Sequence, residues 1–257
     1  MLKISYIMQS YLGSYETQCS SPKAKLIRAV NSVLNQKHEN VELVLVSDGC
    51  PVTKKIYEIH FKDNPKVKFA YVDKDANLTL NVKPGERFYR GVPREVGRAI
   101  ATGNIITYLD TDDYALPTHA LTLVRDWTNA LSQNKDYLFC INAAWWDHAS
   151  IQHQTGVFKH LHPGSKPTKI EGLESEWIIS HMLGGKFSLN TNLLSHRANL
   201  PQNVRWKDET TINEDAAFYA RFKATDPYGE RTFQIKQPMY VRCHAWDAIA
   251  GKPYWDF

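Results

Sequence analysis

An apolar segment that runs directly into three carboxylates constrains the fold of this chain more than any other feature. Residues 105–109 read Ile-Ile-Thr-Tyr-Leu, and Asp110, Asp112 and Asp113 follow them. Large, β-branched and aromatic residues in such a run predict a buried strand. In α/β proteins, ligands bind where the strands end. The three carboxylates are therefore candidates for a binding site at the end of a strand.

Two interpretations of these carboxylates are open. Acidic side chains this close together repel one another unless a cation lies between them, and carboxylate oxygens suit Mg²⁺ or Mn²⁺. A diphosphate would be the natural ligand of such a cation. Alternatively, Asp112 or Asp113 caps a helix that begins near Tyr114. One aspartate would favour the cap, but three directly after an apolar strand favour a site for Mn²⁺ or Mg²⁺.

The first half of the chain alternates predicted strands and helices. Residues 41–46 form a continuous apolar run, as expected for a strand buried on both faces of a parallel sheet. The predicted strands are residues 3–8, 41–46, 67–72, 104–109 and 137–142. The predicted helices are residues 22–36, 53–61, 91–102 and 116–131. Strands separated by helices of this length predict a parallel sheet with right-handed crossovers, and therefore an α/β fold.

The second half of the chain has a less regular pattern. Residues 73–89 are polar and contain Pro84 and Gly85, which predicts a long loop over the sheet edge. Beyond Trp145 the alternation stops, apart from a predicted helix at residues 213–223 and two short strands within residues 233–243. We expect one domain over the whole chain, in which the second half elaborates the same sheet.

Composition and charge bound the class of protein. The chain has 257 residues, 43% of them hydrophobic and 23% charged, which argues against disorder. Its net charge of +4 suits an anionic ligand, but lysine and arginine do not cluster, so nucleic acid is allowed and not indicated. Most of the seven tryptophans, Trp206 among them, are assigned to packing.

The same composition bears on the compartment. The four cysteines are scattered and form no CxxC pair, so the sequence indicates neither a disulfide framework nor a zinc site. The first residues lack the continuous apolar region of a signal peptide. Nowhere do about eighteen apolar residues follow one another, so we expect no transmembrane segment. A cytoplasmic protein is the expectation.

Four blocks of the chain resemble the GT-A-fold glycosyltransferases of the large inverting family 2 type. Residues 5–11 (SYIMQSY) with residues 26–36 (LIRAVNSVLNQ) are similar to the first strand and helix of that family. Residues 41–50 (VELVLVSDGC) are similar to its second strand and nucleotide-contacting turn. Residues 93–113 (PREVGRAIATGNIITYLDTDD) resemble its helix, strand and metal motif, and residues 213–222 (NEDAAFYARF) its catalytic-base helix.

The resemblance implies a fold and a reaction. The fold would be GT-A-like, or Rossmann-like: a mostly parallel sheet flanked by helices. Residues 1–115 would bind the nucleotide sugar, and residues 116–257 would bind the acceptor and carry the base. The reaction would be metal-dependent transfer of a hexose or pentose, with inversion, from a nucleotide-diphosphate donor such as a UDP-sugar to a hydroxyl, on a glycan. The alternatives are transfer to a hydroxylated DNA base, a sugar nucleotidyltransferase, and a non-catalytic module that binds nucleotide sugars.

The resemblance also implies residues that contact the donor. Gln9, Ser10 and Tyr11 would leave the first strand and line the crevice. Asp48 would hydrogen-bond the base or ribose, although an Asp-Gly pair also suits a plain turn. The chain departs from the family here, because Gln9-Ser10 stands where Pro-Thr is usual and Ser47-Asp48 where two acidic residues are usual.

Two arginines precede the acidic motif on one predicted helix. Arg94 and Arg98 are four residues apart and therefore share a helix face. By resemblance Arg94 would contact the diphosphate, while the alternative is a structural ion pair with Asp110 or Asp48. The family usually has asparagine where this chain has Glu95.

The resemblance implies the metal ligands as well. Asp112 would be the first ligand, in an Asp110-Thr111-Asp112 motif. Asp110 would bind the metal, a metal-bound water or the ribose. His244 would be a third ligand, because Arg242-Cys243-His244 matches an Arg-x-His of the family.

The acidic pair Glu214-Asp215 is the candidate for catalysis. It precedes an apolar run, so one interpretation is a helix N-terminus, where acidic residues favour the helix dipole. The resemblance implies instead that Asp215 is the general base that takes the proton from the acceptor hydroxyl. Glu214 is the neighbouring catalytic candidate.

Overall fold

The computed structural model describes most of the first half of the chain and separate parts of the second. The described residues are 1–12, 22–73, 91–140, 144–147, 168–169, 176–180, 194–207, 214–235 and 240–242. Almost all of the predicted loop at residues 73–89 lies outside them, and so does His244.

The described helices and strands alternate through the first half, as predicted. The helices are α1 (Pro22–Leu34), α2 (Pro51–His60), α3 (Gly91–Ile100), α4 (His119–Ser132) and α5 (Glu214–Thr225). The strands are β1 (Ile4–Ser10), β2 (Val41–Asp48), β3 (Val67–Val72), β4 (Ile105–Tyr108), β5 (Tyr114–Ala115), β6 (Tyr137–Cys140), β7 (Ala144–Asp147), β8 (Thr168–Lys169), β9 (Glu176–Ser180), β10 (Leu194–Arg197), β11 (Thr232–Ile235) and β12 (Tyr240–Arg242). Within the described ranges, no helix is both long and apolar enough to cross a membrane.

The main sheet has seven strands in the order β11-β6-β10-β4-β1-β2-β3. Strand β1 pairs in parallel with both β2 and β4, and β2 pairs in parallel with β3. Strand β10 is antiparallel to its neighbours β4 and β6, whereas β11 is parallel to β6. The prediction of a mostly parallel α/β sheet with flanking helices is therefore confirmed.

Each face of this sheet carries its own core. Because side chains alternate along a strand, Tyr6 and Met8 pack with Leu26 of α1, and we call this side the α1 face. Ile7 of β1 points the other way and packs with Val96 of α3, and we call that side the α3 face. Both faces are covered, which explains why β2 is buried along its whole length.

A second sheet was not predicted. Its order is β5-β12-β7-β9-β8. Strands β6, β10 and β11 do extend the main sheet, as expected for the second half of the chain. The strands of the second sheet are short and lie in segments with little hydrophobic alternation, so the sequence pattern does not predict a separate sheet.

Three predicted boundaries near the site were wrong. Strands β1 and β2 each continue two residues further than expected, so Gln9 and Ser10 belong to β1 rather than following it. Helix α4 begins at His119, whereas Tyr114 forms part of β5. Pro117 explains the later start, because the residue before a proline disfavours helical backbone. Asp113 therefore does not cap this helix.

Candidate active site

The ends of three neighbouring strands form the floor of the candidate site. β1 lies between β4 and β2, and Ser10 is in register with Ser47 of β2. Ile7, Val46 and Tyr108 belong to the core of the α3 face. Two residues further along the chain from each of them stand Gln9, Asp48 and Asp110. Alternation brings Gln9 and Asp48 to this same face, and Asp110, just after β4, lies 3.6 Å from Arg94 of α3 on it.

Gln9 offers a buried acceptor on this face. Its Oε1 atom is buried and has no hydrogen-bond partner within the described residues. Buried polar atoms are normally hydrogen-bonded, so an oxygen in this position is suited to a donor group from a ligand.

Ser10 and Tyr11 lie on the other side of the sheet. The Ser10 hydroxyl is buried and lies 2.7 Å from the Thr53 hydroxyl of α2. Tyr11 packs against the core of the α1 face. The longer β1 strand explains the placement of Ser10, since consecutive residues of a strand point to opposite faces and Gln9 points to the α3 face. Tyr11 follows the end of β1 and is not bound by this alternation. The structure does not bring the Ser10 side chain to Asp48 and Asp110.

The turn after β2 is formed by Ser47. Its hydroxyl donates to the Cys50 carbonyl at 2.8 Å and accepts from the Cys50 N–H at 3.1 Å. Gly49 has a φ of 60°, which glycine adopts without steric cost. Because Ser47 makes these turn hydrogen bonds, the buried Asp48 carboxylate is not needed for them.

The acidic motif forms a compact cluster. Carboxylate oxygens of Asp110, Asp112 and Asp113 all lie within 4.8 Å of one another. Asp110 and Asp112 are half-buried, and Asp113 is 2% exposed. A donor set made only of carboxylate oxygens fits Mg²⁺ or Mn²⁺. The cluster therefore has the chemistry of the expected metal site.

Arg28 of α1 contacts the backbone of the acidic motif. Its Nη2 donates to the Asp112 carbonyl at 2.5 Å, and its side chain is buried. Arg28 was not predicted as a site residue from the sequence. The available signal was an arginine on the apolar face of a helix, between Leu26 and Ala29, where a buried charge requires a partner.

Arg94 joins the acidic motif to the second half of the chain. Its Nη1 donates to Glu214 Oε1 at 2.6 Å, and its Nη2 lies 3.6 Å from Asp110 Oδ1. The Arg94 side chain is buried. The expected ion pair with Asp110 is present, and the pair with Glu214 was not predicted.

Arg98 points to a different partner. It forms a bidentate pair with Glu95, through Nε at 3.1 Å and Nη2 at 2.5 Å. Glu95 Oε2 also accepts the backbone N–H of Trp206 at 3.1 Å. Arg98 shares the helix with Arg94, but its contacts are with this carboxylate rather than with the acidic cluster.

Asp215 and Glu214 occupy the first turn of α5 in different environments. Burial raises the pKa of Asp215 to about 6, and the charges of Glu214 and Asp110 act in the same direction. The Ala216 N–H, which donates to Asp215 Oδ1 at 2.8 Å, and the charge of Arg94 oppose that rise. Glu214 is engaged by Arg94. Asp215 is therefore the carboxylate suited to exchange a proton near neutral pH.

Trp206 lies directly beneath Arg94. The guanidinium carbon lies 4.9 Å from the centroid of the Trp206 ring, within the range of cation–π contacts. On its other side the ring stacks on Phe218 of α5, with centroids 4.0 Å apart and planes 5° from parallel. The sequence analysis grouped Trp206 with the packing tryptophans. Trp206 lies eight residues before Glu214, and this position in the sequence did not indicate a role in the site.

Comparisons with known proteins bear on the family and the fold of this chain. A family model described as glycosyl transferase family 2 matches residues 20–190. An uncharacterized glycosyltransferase of Haemophilus influenzae is 34% identical over 89 residues, which are 35% of this chain and 31% of that relative. The chain spans about a third of that protein.

Solved structures of Staphylococcus aureus TarS 1–349 share the fold. The structure without a named ligand has a TM-score of 0.58 at 18% identity, covering 93% of this chain and 60% of that one. The complex with UDP-GlcNAc has a TM-score of 0.57 at 18% identity, covering 93% of this chain and 58% of that one. The complex with UDP has a TM-score of 0.59 at 18% identity, with 93% and 60% covered. The chain thus has a GT-A-like fold, and because the family model matches more than half of its length, it belongs to glycosyl transferase family 2.

Proposed function

We propose that this chain is a metal-dependent, inverting glycosyltransferase that moves a sugar from a UDP-sugar to an acceptor hydroxyl, on a glycan. One observation carries the proposal. Arg94 contacts both Asp110 at the strand ends and Glu214 beside the candidate base. Arg94 therefore links Asp110, a carboxylate suited to the donor, to the first turn of α5, which carries the candidate base.

The donor side of the site would be formed by the strand ends. Asp110 and Asp112 would hold Mn²⁺ or Mg²⁺, with Asp113 completing the oxygen cluster. A bound divalent cation would neutralise charge on the diphosphate as it leaves. Asp48 and the buried Oε1 of Gln9 would accept hydrogen bonds from the nucleoside. Support for a uridine donor comes from the TarS structures, which were solved with UDP and with UDP-GlcNAc.

The acceptor side would be served by Asp215. Its carboxylate would take the proton of the acceptor hydroxyl while that oxygen attacks the anomeric carbon. The bond between the anomeric carbon and the diphosphate oxygen would break at the same time, with its electron pair remaining on the diphosphate. One displacement inverts the anomeric configuration. A carboxylate with a pKa of about 6 is deprotonated at neutral pH and still basic enough to assist.

Arg94 would define the roles of the two adjacent carboxylates. Glu214 accepts a charge-assisted hydrogen bond over 2.6 Å from a buried guanidinium, so its lone pairs are committed to that contact. Asp215 accepts only a backbone N–H among the hydrogen bonds described here. Adjacent carboxylates in such different environments take different roles, and the less committed one would be the base.

The test is a donor and acceptor screen with matched variants. Purified protein is incubated with UDP-sugars and oligosaccharides, with and without Mn²⁺, and released UDP is measured together with the anomeric configuration of the product by NMR. We expect Mn²⁺-dependent UDP release and an inverted product, lost in Asp112→Asn and Asp215→Asn. Asp63→Asn, on an exposed loop after α2, is the matched control and should retain full activity. A retained configuration would refute the single displacement.

A further inference from the structure

Trp206 contacts three of the elements that carry the candidate site, α3, α5 and β4. Its ring lies under Arg94 of α3 and on Phe218 of α5, and its Nε1 donates to the Tyr108 hydroxyl of β4 at 2.8 Å. Its backbone N–H donates to Glu95 of α3. The side chain is almost completely buried. Buried N–H groups normally have partners, so the two hydrogen bonds of Trp206 follow from its burial. The contact of its ring with the Arg94 guanidinium is not required by packing and calls for an explanation.

A chain of hydrogen bonds with a single direction fixes the plane of the indole. Because the indole N–H can only donate, the Tyr108 oxygen accepts from it and directs its own proton to His196 Nε2, 2.7 Å away. His196 Nδ1 then donates to the Arg197 carbonyl at 2.6 Å. Burial lowers the pKa of His196 to about 3, consistent with the neutral ring that this chain of bonds requires.

The backbone around Trp206 is fixed as well. Glu95, which accepts the Trp206 N–H, is itself held by Arg98. At Gly91, the first residue of α3, a Cβ atom would come within 1.9 Å of the Lys207 carbonyl oxygen. Only glycine permits this close approach of the two backbones. The indole therefore has a defined position relative to α3.

The ring and the carboxylates hold Arg94 from different directions. A guanidinium is planar, so it stacks through its face and donates through its edges. The guanidinium carbon of Arg94 lies over the Trp206 ring, 4.9 Å from its centroid, while its terminal nitrogens reach Glu214 at 2.6 Å and Asp110 at 3.6 Å. Without the ring, the two carboxylates alone would have to define where the guanidinium lies.

We propose that Trp206 is a positioning residue that sets the basicity of Asp215 through Arg94. The inference rests on the proposed role of Asp215 as the base. The charge of Arg94 opposes the rise in the Asp215 pKa, whereas those of Glu214 and Asp110 support it. When Trp206 no longer holds Arg94, the guanidinium lies less closely between the carboxylates. Asp215 then titrates at a higher pH and is a smaller fraction deprotonated at neutral pH.

The test compares two Trp206 variants with a core control. Trp206→Leu removes the aromatic face, and Trp206→Phe keeps a smaller face without the N–H. Phe222→Leu is the control, since Phe222 is as buried as Trp206 and belongs to the same core. The ring contacts given for Phe222 are with His196 and Phe218 rather than with Arg94. The first readout is the titration of the Asp215 carboxyl by ¹³C NMR, assigned with Asp215→Asn. The second is the pH dependence of kcat/KM.

We expect the Asp215 midpoint to rise by about half a pH unit or more in Trp206→Leu, since neighbouring charges shift such groups by roughly 1 to 3 units. Trp206→Phe should raise the Asp215 midpoint by a smaller amount. If the leucine variant does not fold, the phenylalanine variant alone decides the question. Phe222→Leu should lower the melting temperature and leave the midpoint unchanged. Wild-type midpoints in the Trp206 variants would overturn the inference. Because the NMR titration needs no substrate, it tests Trp206 even if no sugar transfer is found.

Discussion

Arg94 Nη1 donates a hydrogen bond to Glu214 Oε1 over 2.6 Å, between residues that are 120 positions apart in the chain. The two side chains are both largely buried. Breaking a buried ion pair by removing one partner typically costs about 3 to 5 kcal/mol. This pair therefore fixes the first turn of α5 against α3 and keeps the charge of Glu214 next to Asp215.

We first predict how the charge of Glu214 affects the pH dependence of the reaction. Glu214→Gln keeps an oxygen that can accept from Arg94 but removes the charge. Because the charge of Glu214 raises the Asp215 pKa, its removal should lower that pKa below about 6. We therefore expect the midpoint of kcat/KM against pH to move to lower pH. Glu58→Gln, on the exposed side of α2, should leave the profile unchanged. An unchanged or higher midpoint in Glu214→Gln would contradict the electrostatic coupling.

The acidic cluster makes a prediction about metal. Asp112→Asn keeps the backbone carbonyl that Arg28 holds, so the fold should survive. It removes one charged ligand of the proposed cation, so Mn²⁺ binding and turnover should both fall strongly. Titration calorimetry with Mn²⁺ and a UDP-release assay measure the two effects. The assignment fails if the wild-type protein, treated with EDTA and verified to be metal-free, keeps full turnover.

The two faces of the sheet make a prediction about the donor. Asp48→Ala should weaken UDP binding, and the turn after β2 should survive because Ser47 makes its hydrogen bonds. Ser10→Ala is the matched control, since the Ser10 hydroxyl faces Thr53 on the α1 face. Titration calorimetry should give reduced affinity for the first variant and unchanged affinity for the second. Equal affinities in Asp48→Ala and wild type would leave no donor role for Asp48.

The central strands and their mostly parallel arrangement could be predicted from the sequence, but the orientation of individual side chains could not. The runs at residues 41–46 and 105–109 are apolar enough to require burial on both faces, which a parallel sheet provides. Ser10 shows what was missing. An extension of β1 by two residues decides that its side chain points to α2 rather than to the crevice. Such an extension lies within the usual uncertainty of element boundaries.

The contacts that organise the candidate site could not be predicted from the sequence either. Helical spacing allows the local pair of Arg98 with Glu95, but it does not identify Glu214 as the partner of Arg94. Arg94 meets Glu214 only because the segment containing Trp206 packs α5 against α3. Long-range pairs of this kind depend on the tertiary packing, and no local pattern in one sequence encodes them.

The N-terminal ends of the strands make a prediction about stability in acid. Glu42 is buried and accepts from Lys3 Nζ at 2.8 Å and from the Ser5 hydroxyl at 2.5 Å. Burial alone would raise its pKa, but hydrogen bonds from Lys3, Ser5 and Thr102 outweigh it and lower the pKa to about 2. A lowered folded-state pKa stabilises the fold above the unfolded pKa and stops doing so as the pH falls through the folded one.

The measurement for this prediction is urea unfolding against pH. Glu42→Gln should lose about 3 kcal/mol of stability at pH 7, because each unit of pKa shift corresponds to about 1.4 kcal/mol. That loss should shrink between about pH 4.5 and pH 2, where wild-type Glu42 becomes protonated. Glu39→Gln, outside this cluster, should show no such dependence. A loss of constant size down to pH 2 would show that the charge of Glu42 does not stabilise the fold.

The first turn of α5 makes the last prediction. Asp215→Asn keeps an oxygen that can accept the Ala216 N–H, so the hydrogen bond at the helix start is retained. It removes the basicity, and removing a general base lowers the rate roughly a hundred- to ten-thousand-fold. We expect turnover with the true acceptor to fall within that range, while calorimetry shows normal affinity for UDP. The true acceptor is required, because slow hydrolysis of the donor by water does not depend on the base.

The stability of Asp215→Asn separates the base from a helix cap. The pKa of Asp215 is raised to about 6 in the folded protein, so its ionisation destabilises the fold as the pH rises from about 4 through 6. Asparagine cannot ionise, so the variant should melt higher than wild type at pH 8, and the difference should vanish near pH 4. A cap role predicts the opposite at pH 8, a lower melting temperature, because a carboxylate there favours the helix dipole. Near-normal turnover together with that lower melting temperature would assign Asp215 to the helix and leave the reaction without its proposed base.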